Sequence, residues 1–166
     1  MQTTDLTGSL TTLFSELTAG ASPGGFAFML NSGDAGLLRS LDKLSAEDAS
    51  ANANGGATIA AHARHLAYGL SLMNQWASEG GNPFANAKWD EAWKTSHVNV
   101  AAWGDIRDDL SAQCHAWLAV LSDGREVNAV ELSGMIGSIA HLAYHLGAIR
   151  QIDKASRGPR EGTFNP

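Results

Sequence analysis

An all-α fold, a four-helix bundle with one long crossover connection, is what this sequence of 166 residues predicts. Three observations carry it. Apolar residues recur at three- and four-residue intervals, the period that turns one helix face toward a core. Breaks at Ser22-Pro23-Gly24-Gly25, Asn52-Ala53-Asn54-Gly55-Gly56, Gly80-Gly81-Asn82-Pro83 and Ser122-Asp123-Gly124 cut the chain into helix-length pieces. No segment sustains the apolar–polar alternation of a strand.

Leu6, Leu10, Leu13 and Leu17 mark a first helix, stopped by Gly20. Phe26 to Leu30 is an apolar run too short to assign, able to cross the bundle in either form. Asp34 reads as the N-cap of a helix carrying Leu37, Leu38, Leu41 and Leu44. Ser45-Ala46-Glu47-Asp48 reads as another start, with Asp48 a weaker capping partner than Glu. Thr58 caps the second long helix, whose apolar side holds Ile59, Leu66, Leu70, Met73 and Trp76. Phe84 to Val98, with Trp89 and Trp93 one turn apart, is the crossover. The third long helix runs from about Asn99 to Leu121, with Trp103, Ile106, Leu110, Cys114, Trp117 and Leu121 on its apolar side. Asn128 and Glu131 open the last helix in a capping-box pattern, and it reads through to about Ser156. The expectation is a single helical-bundle domain over 1–166, with an N-terminal helix and irregular segment over 1–32 and a tail over 157–166.

Composition narrows the function. The hydrophobic share of 44% supplies a core and argues against a disordered chain. Seventeen acidic against eleven basic side chains, a net charge of −6, argue against nucleic acid as a partner. No run approaches the ~18 consecutive apolar residues of a membrane span. Met1-Gln2-Thr3-Thr4-Asp5 lacks the basic start of an export signal, so no membrane partner and a cytoplasmic location are expected. With Cys114 alone, no internal disulfide forms.

The residues that point to chemistry are histidines. His141 and His145 stand at i and i+4, where their Cβ atoms lie ~6 Å apart on one helix face and both rings can converge on one ion. Gly134, Gly137, Ser138 and Ala148 share that side, leaving room for a ligand or another helix. With six histidines in 166 positions, chance supplies roughly 0.2 such pairs, so the spacing alone is weak evidence. A second helix strengthens it: His62 projects into the middle of its apolar stripe and His65 lies at the margin. Two helices that bring histidines inward can give three nitrogens to one first-row metal and leave a position for water or substrate. The competing reading is a set of core histidines hydrogen-bonded to hydroxyls or carbonyls. Each ring nitrogen buried without a partner costs about 1–3 kcal/mol, a difficulty that a shared ion removes.

Other features carry less. Cys114 and His115 are helix neighbours about 100° apart and form no dyad, and Cys114 reads as a small core residue. His97 and His115 have no i+4 partner and read as surface or boundary residues. The five tryptophans read as packing anchors, since no basic groove accompanies them. Neither Gly-Gly pair forms a phosphate-binding loop, and no serine-nucleophile signature is present.

The string Ile139-Ala140-His141-Leu142-Ala143-Tyr144-His145-Leu146-Gly147-Ala148-Ile149-Arg150-Gln151 resembles the final helix of the DinB/YfiT-like metalloenzymes, the DinB superfamily. Thr58 to Ala67, with His62 and His65 before Leu66-Ala67, resembles that family's second helix. The likeness spans about Gly33 to Gln151. It implies a four-helix bundle holding a divalent metal ion, commonly nickel, zinc or iron, on three histidines. Matched by position, the metal ligands are His65, His141 and His145. His62, nearer the centre of the stripe, is an alternative ligand, a hydrogen-bonding neighbour of the ligands, or a proton acceptor one turn from His65. Arg150 and Gln151 match the pattern but no known catalytic role. The resemblance further implies a metal-dependent transferase or hydrolase, since characterised relatives include thiol transferases and a thiol-dependent isomerase; an S-transferase acting on electrophilic small molecules with a low-molecular-weight thiol is the expected activity, and a homodimer through exposed helix faces the expected assembly. A metal-binding stress or sensor module without catalysis and a plain helical interaction protein are the alternative classes.

Overall fold

Seven α-helices and two 3-10 turns make up the regular structure of residues 3–22, 26–52 and 55–159, the part of the chain that the computed structural model describes. The helices are α1 (Thr3–Ala19), α2 (Gly36–Asp42), α3 (Ala46–Ser50), α4 (Ile59–Glu79), α5 (Trp89–Trp93), α6 (Val100–Ser122) and α7 (Ala129–Ile152). The 3-10 turns are Pro83–Asn86 and Lys154–Ser156. The fold is all-α, built of packed helices joined by long connections. Positions 23–25 and 53–54, inside two of the expected breaks, and 160–166 of the expected tail lie outside the described residues.

Among the four longest helices, α4 packs on α6 and α7, and α1 packs on the same two. The core between them is continuous. Phe14 and Leu17 of α1, Ile59 and Leu66 of α4, Leu110 and Trp117 of α6, and Leu142 and Ile149 of α7 are all buried. Fully burying a side chain of this size contributes roughly 1.5–3 kcal/mol, so this shared core holds the helices in register. Every residue expected on the apolar side of α6 is buried, from Trp103 to Leu121. Two indole N–H groups find acceptors inside: Trp103 donates to the Leu44 carbonyl and Trp117 to the Ser138 hydroxyl, at 2.9 and 2.8 Å.

Local signals set most helix starts. Thr58 accepts from Ala61 N–H, Asn99 from Ala102 N–H, and Asn128 from Val130 and Glu131 N–H. Both capping boxes form, the Ser45–Asp48 one included. Asp34 is the exception. The residue at the N-cap of α2 is Ala35, without a side-chain cap, while Asp34 is buried and its Oδ1 accepts from Gly36 N–H at 2.9 Å and from Arg150 at 2.7 Å. Gly36 is itself required there. Its φ of 74° is left-handed, and a Cβ on it would overlap the backbone of Ala19 and Gly20.

Two further expectations need correction. The run Phe26 to Leu30 is neither helix nor core-crossing strand. Phe26 and Phe28 are exposed, and the buried Glu16 carboxylate accepts from Phe28, Met29 and Leu30 N–H, at 2.6 Å for Leu30. The last helix ends at Ile152 rather than Ser156. The Asp153 carboxylate accepts from Ala155 N–H and starts the short 3-10 turn. The tryptophans of the crossover, Trp89 and Trp93, are 37% and 36% exposed and lie outside the shared core. By length and by a mean hydropathy of 1.2, α7 could cross a membrane, but here it places Leu142, Leu146 and Ile149 in the shared core.

Candidate metal centre

Four histidines meet where α4 faces α7. The cap at Thr58 sets the phase of α4, so that His62 and His65, three residues apart, both turn inward and are buried. The Asn128–Glu131 box does the same for α7, with His145 buried and His141 the more exposed. Nε2 of His65 stands 3.2 Å from Nε2 of His141, which stands 3.0 Å from Nε2 of His145. One nitrogen from each ring lies within 4.8 Å of the others. The structure thus brings together the three residues singled out from the sequence. His62 sits beside them, its Nδ1 2.8 Å from Nδ1 of His145.

The donor set fits a divalent ion. Nitrogens bound at ~2.0–2.1 Å to a tetrahedral metal stand about 3.3 Å apart, close to the separations found. Without an ion the contacts conflict. Nε2 of His141 carries either one proton or one lone pair and faces two neighbours, whereas a central cation accepts all three lone pairs at once. The rings are also held neutral. Burial lowers the pKa of all four, and neighbouring rings push further, taking His65 to about 4 and His145 to about 3. Neutral imidazole is the ligating form.

The surroundings orient the rings unequally. With Nε2 of His145 turned to the cluster, its Nδ1 shares a hydrogen bond with Nδ1 of His62, and in the Nε2-ligating tautomer His145 would be the donor. His65 has no such partner: its Nδ1 is buried without a hydrogen bond among the described residues. Stacking holds that ring instead, with Trp93 4.3 Å away at an interplanar angle of 24° and Trp89 at 5.6 Å. Trp93 also meets the edge of His62 at 5.3 Å. Both tryptophans come from α5, in the crossover, which is tied down where Lys88 N–H donates to the Tyr68 hydroxyl at 2.9 Å and Val98 N–H to the Ser50 hydroxyl at 3.0 Å. Sequence reasoning missed this role for Trp89 and Trp93. The signal was their one-turn spacing in a connection that has to pass over α4.

The remaining candidates lie elsewhere, as expected. Cys114 is buried in the core and its thiol is pushed up to about 12 by burial, far from a reactive thiolate. His97 and His115 are exposed, and the His115 ring contacts the Ser111 carbonyl of its own helix. No carboxylate joins the histidine cluster among the described residues. Fold and site together define an all-α protein with a three-histidine cluster suited to a divalent metal ion. Comparison with family models, with curated proteins and with solved structures gave no match to this chain.

Proposed function

We propose that this chain is a divalent-metal-dependent enzyme of the DinB/YfiT-like type, a four-helix bundle in which His65, His141 and His145 are the ligands. In this reading it transfers a small thiol to an electrophilic small molecule. The observation that carries the proposal is the convergence of three Nε2 atoms, 3.0 and 3.2 Å apart, from two helices. Three protein ligands leave a coordination position for a reactant, the arrangement of reactive rather than structural sites.

A divalent ion bound there supplies Lewis acidity, which favours the thiolate over the thiol and eases deprotonation of water. The residues supply the rest. Three neutral imidazoles, with no carboxylate joining them among the described residues, would leave a bound cation's charge uncompensated and so favour an anionic partner such as a thiolate. His62 fixes the tautomer of His145. Trp93 and Trp89 cover the His65 face, and this low-polarity cover strengthens the attraction between cation and anion. The site opens on the side of His141, the most exposed of the three rings, which is where a substrate enters.

Elemental analysis of protein purified without chelator or histidine tag tests the reading. About one divalent ion per chain is expected, falling well below that in His141→Ala. The metal-loaded protein is then screened with low-molecular-weight thiols against electrophiles. Thiol consumption that depends on both the metal and His141 is the expected result. A wild-type chain that retains no metal overturns the site; a loaded chain inert toward every thiol pair overturns the transferase.

A further inference from the structure

A cavity of about 270 Å³ lies against the histidine cluster, between α4 and α7. Leu66, Leu70 and Met73 of α4, Leu142 of α7, and Phe84 and Trp89 of the crossover line it. His141 belongs to both places: its ring lines the cavity and its Nε2 faces His65 and His145. Among the described residues, no charged side chain lines the cavity. Its one hydroxyl, Ser138, is already used twice, accepting from Trp117 Nε1 and donating to the Met135 carbonyl. Among the lining side chains, the His141 ring and the Trp89 indole N–H are therefore the hydrogen-bonding groups left to a ligand.

Packing does not account for all of this space. A Cβ on Gly134 would come within 2.7 Å of the Trp76 ring, so that glycine is explained by a close approach. Gly69 and Gly137 are different. A Cβ on Gly69 would make ordinary contacts at 3.8 and 3.9 Å with Trp89 and His141, and one on Gly137 would meet nothing within 4 Å. Both sit inside long helices, where alanine would be favoured. What the two glycines preserve is volume beside His141.

We propose that this cavity receives the neutral, apolar part of the substrate, a group the size of a substituted single aromatic ring, and holds its reactive end beside the metal position. The proposal rests on the metal-site reading above and adds the substrate class. A cavity of ~150 Å³ with an apolar lining accommodates benzene, so the present one suits on the order of ten non-hydrogen atoms. An uncharged wall with one imidazole and one indole N–H disfavours phosphorylated and sugar-like molecules, most of whose polar groups would lose water without replacement.

Indole, neutral and of this size, is the probe, with glucose as a polar comparator of similar atom count. Zinc- and cobalt-loaded protein are titrated with each and followed by amide NMR. Indole is expected to bind saturably, shifting the Gly69 and Gly137 amides, and glucose is expected to do nothing. With cobalt in place of zinc, the bound indole protons should show paramagnetic broadening. Gly137→Leu should weaken indole binding at least tenfold while keeping its zinc and its melting temperature. Should that variant not fold, Gly137→Ala serves with a smaller expected loss. Indole that fails to saturate, binds no better than glucose, stays unbroadened by cobalt, or binds the Gly137 variants undiminished overturns the proposal. The metal reading is judged separately by zinc content: zinc held without indole binding defeats the cavity alone, and absent zinc defeats the site whatever indole does.

Discussion

Nδ1 of His62 lies 2.8 Å from Nδ1 of His145, and both rings are buried. A histidine that ligates through Nε2 keeps its proton on Nδ1, so in the proposed metal-bound state His62 would be the acceptor that holds His145 in the ligating tautomer and fixes its plane. Removing such a partner typically costs 10–100-fold in metal affinity. His62→Phe, which keeps the ring volume and loses the acceptor, is expected to weaken metal binding by about tenfold or more. His62→Gln, which can still accept through its amide oxygen, should recover part of the loss. Competition with a chromophoric chelator measures both, and equal affinity for wild type and His62→Phe would show that the contact does not support the ligand.

His65 depends on a different kind of support. Its Nδ1 has no hydrogen-bond partner among the described residues, and the stacked Trp93 ring is what limits its rotation. Trp93→Ala should therefore lower metal affinity by about tenfold, in the range expected for loss of a neighbour that orients a ligand. Because most of the Trp93 surface packs on the histidine rings, its loss should also lower stability, by on the order of 1–3 kcal/mol. A variant that binds metal like wild type would assign the ring's orientation to the helix backbone alone.

Much of this arrangement was legible in the sequence, and the parts that were not share a physical reason. The phase of α4 and α7 follows from Thr58, Asn128 and the apolar period, so the inward turn of His65, His141 and His145 is written in the sequence. Helix periodicity reports which face a residue occupies, not what comes to lie over it. Trp89 and Trp93 were thus visible as a one-turn pair, but their seat on His65 depends on the path of the crossover, anchored by Tyr68 and Ser50 far from it in sequence. Asp34 misled for a related reason. A lone acidic residue before an apolar run looks like a cap, whereas its partner Arg150 lies 116 positions away, beyond any local pattern. Glu16, whose carboxylate organises residues 28–30, is buried inside α1 and gave no local signal at all.

The lowered histidine pKa values set a direction for the pH response of metal-free protein. Burial depresses the folded-state values, to about 4 for His65 and about 3 for His145, while the same groups in the unfolded chain titrate near 6.5. Below about 6.5 the unfolded chain takes up protons that the folded chain refuses, so stability falls as pH drops. Full stability is expected above about pH 7, with a progressive loss down toward pH 4. Urea midpoints across this range should follow that slope in wild type and a shallower one in His145→Phe. A midpoint rising on acidification would contradict the neutral, buried state of the cluster.

The Asp34–Arg150 pair is the clearest stability determinant outside the cluster. The ion pair is 2.7 Å long, the Asp34 side chain is 2% exposed and that of Arg150 16%, and Gly158 packs directly on the carboxylate. Asp34 joins the start of α2 to the end of α7, so its contacts close the helices around the core. Truncating one member of such a pair leaves the other charge buried without a partner, at about 3–5 kcal/mol. Asp34→Ala is expected near 3 kcal/mol, because Arg150 retains some contact with solvent. For a chain of this size, that lowers the melting temperature by roughly 6–12 °C. Arg150→Met alone should also destabilise, since it strands the carboxylate. The double variant Asp34→Ala/Arg150→Met should be more stable than the sum of the two losses predicts, because neither charge is then left alone. Calorimetric melting of the four proteins gives the coupling directly; simple additivity would mean that solvent, not the ion pair, satisfies both groups.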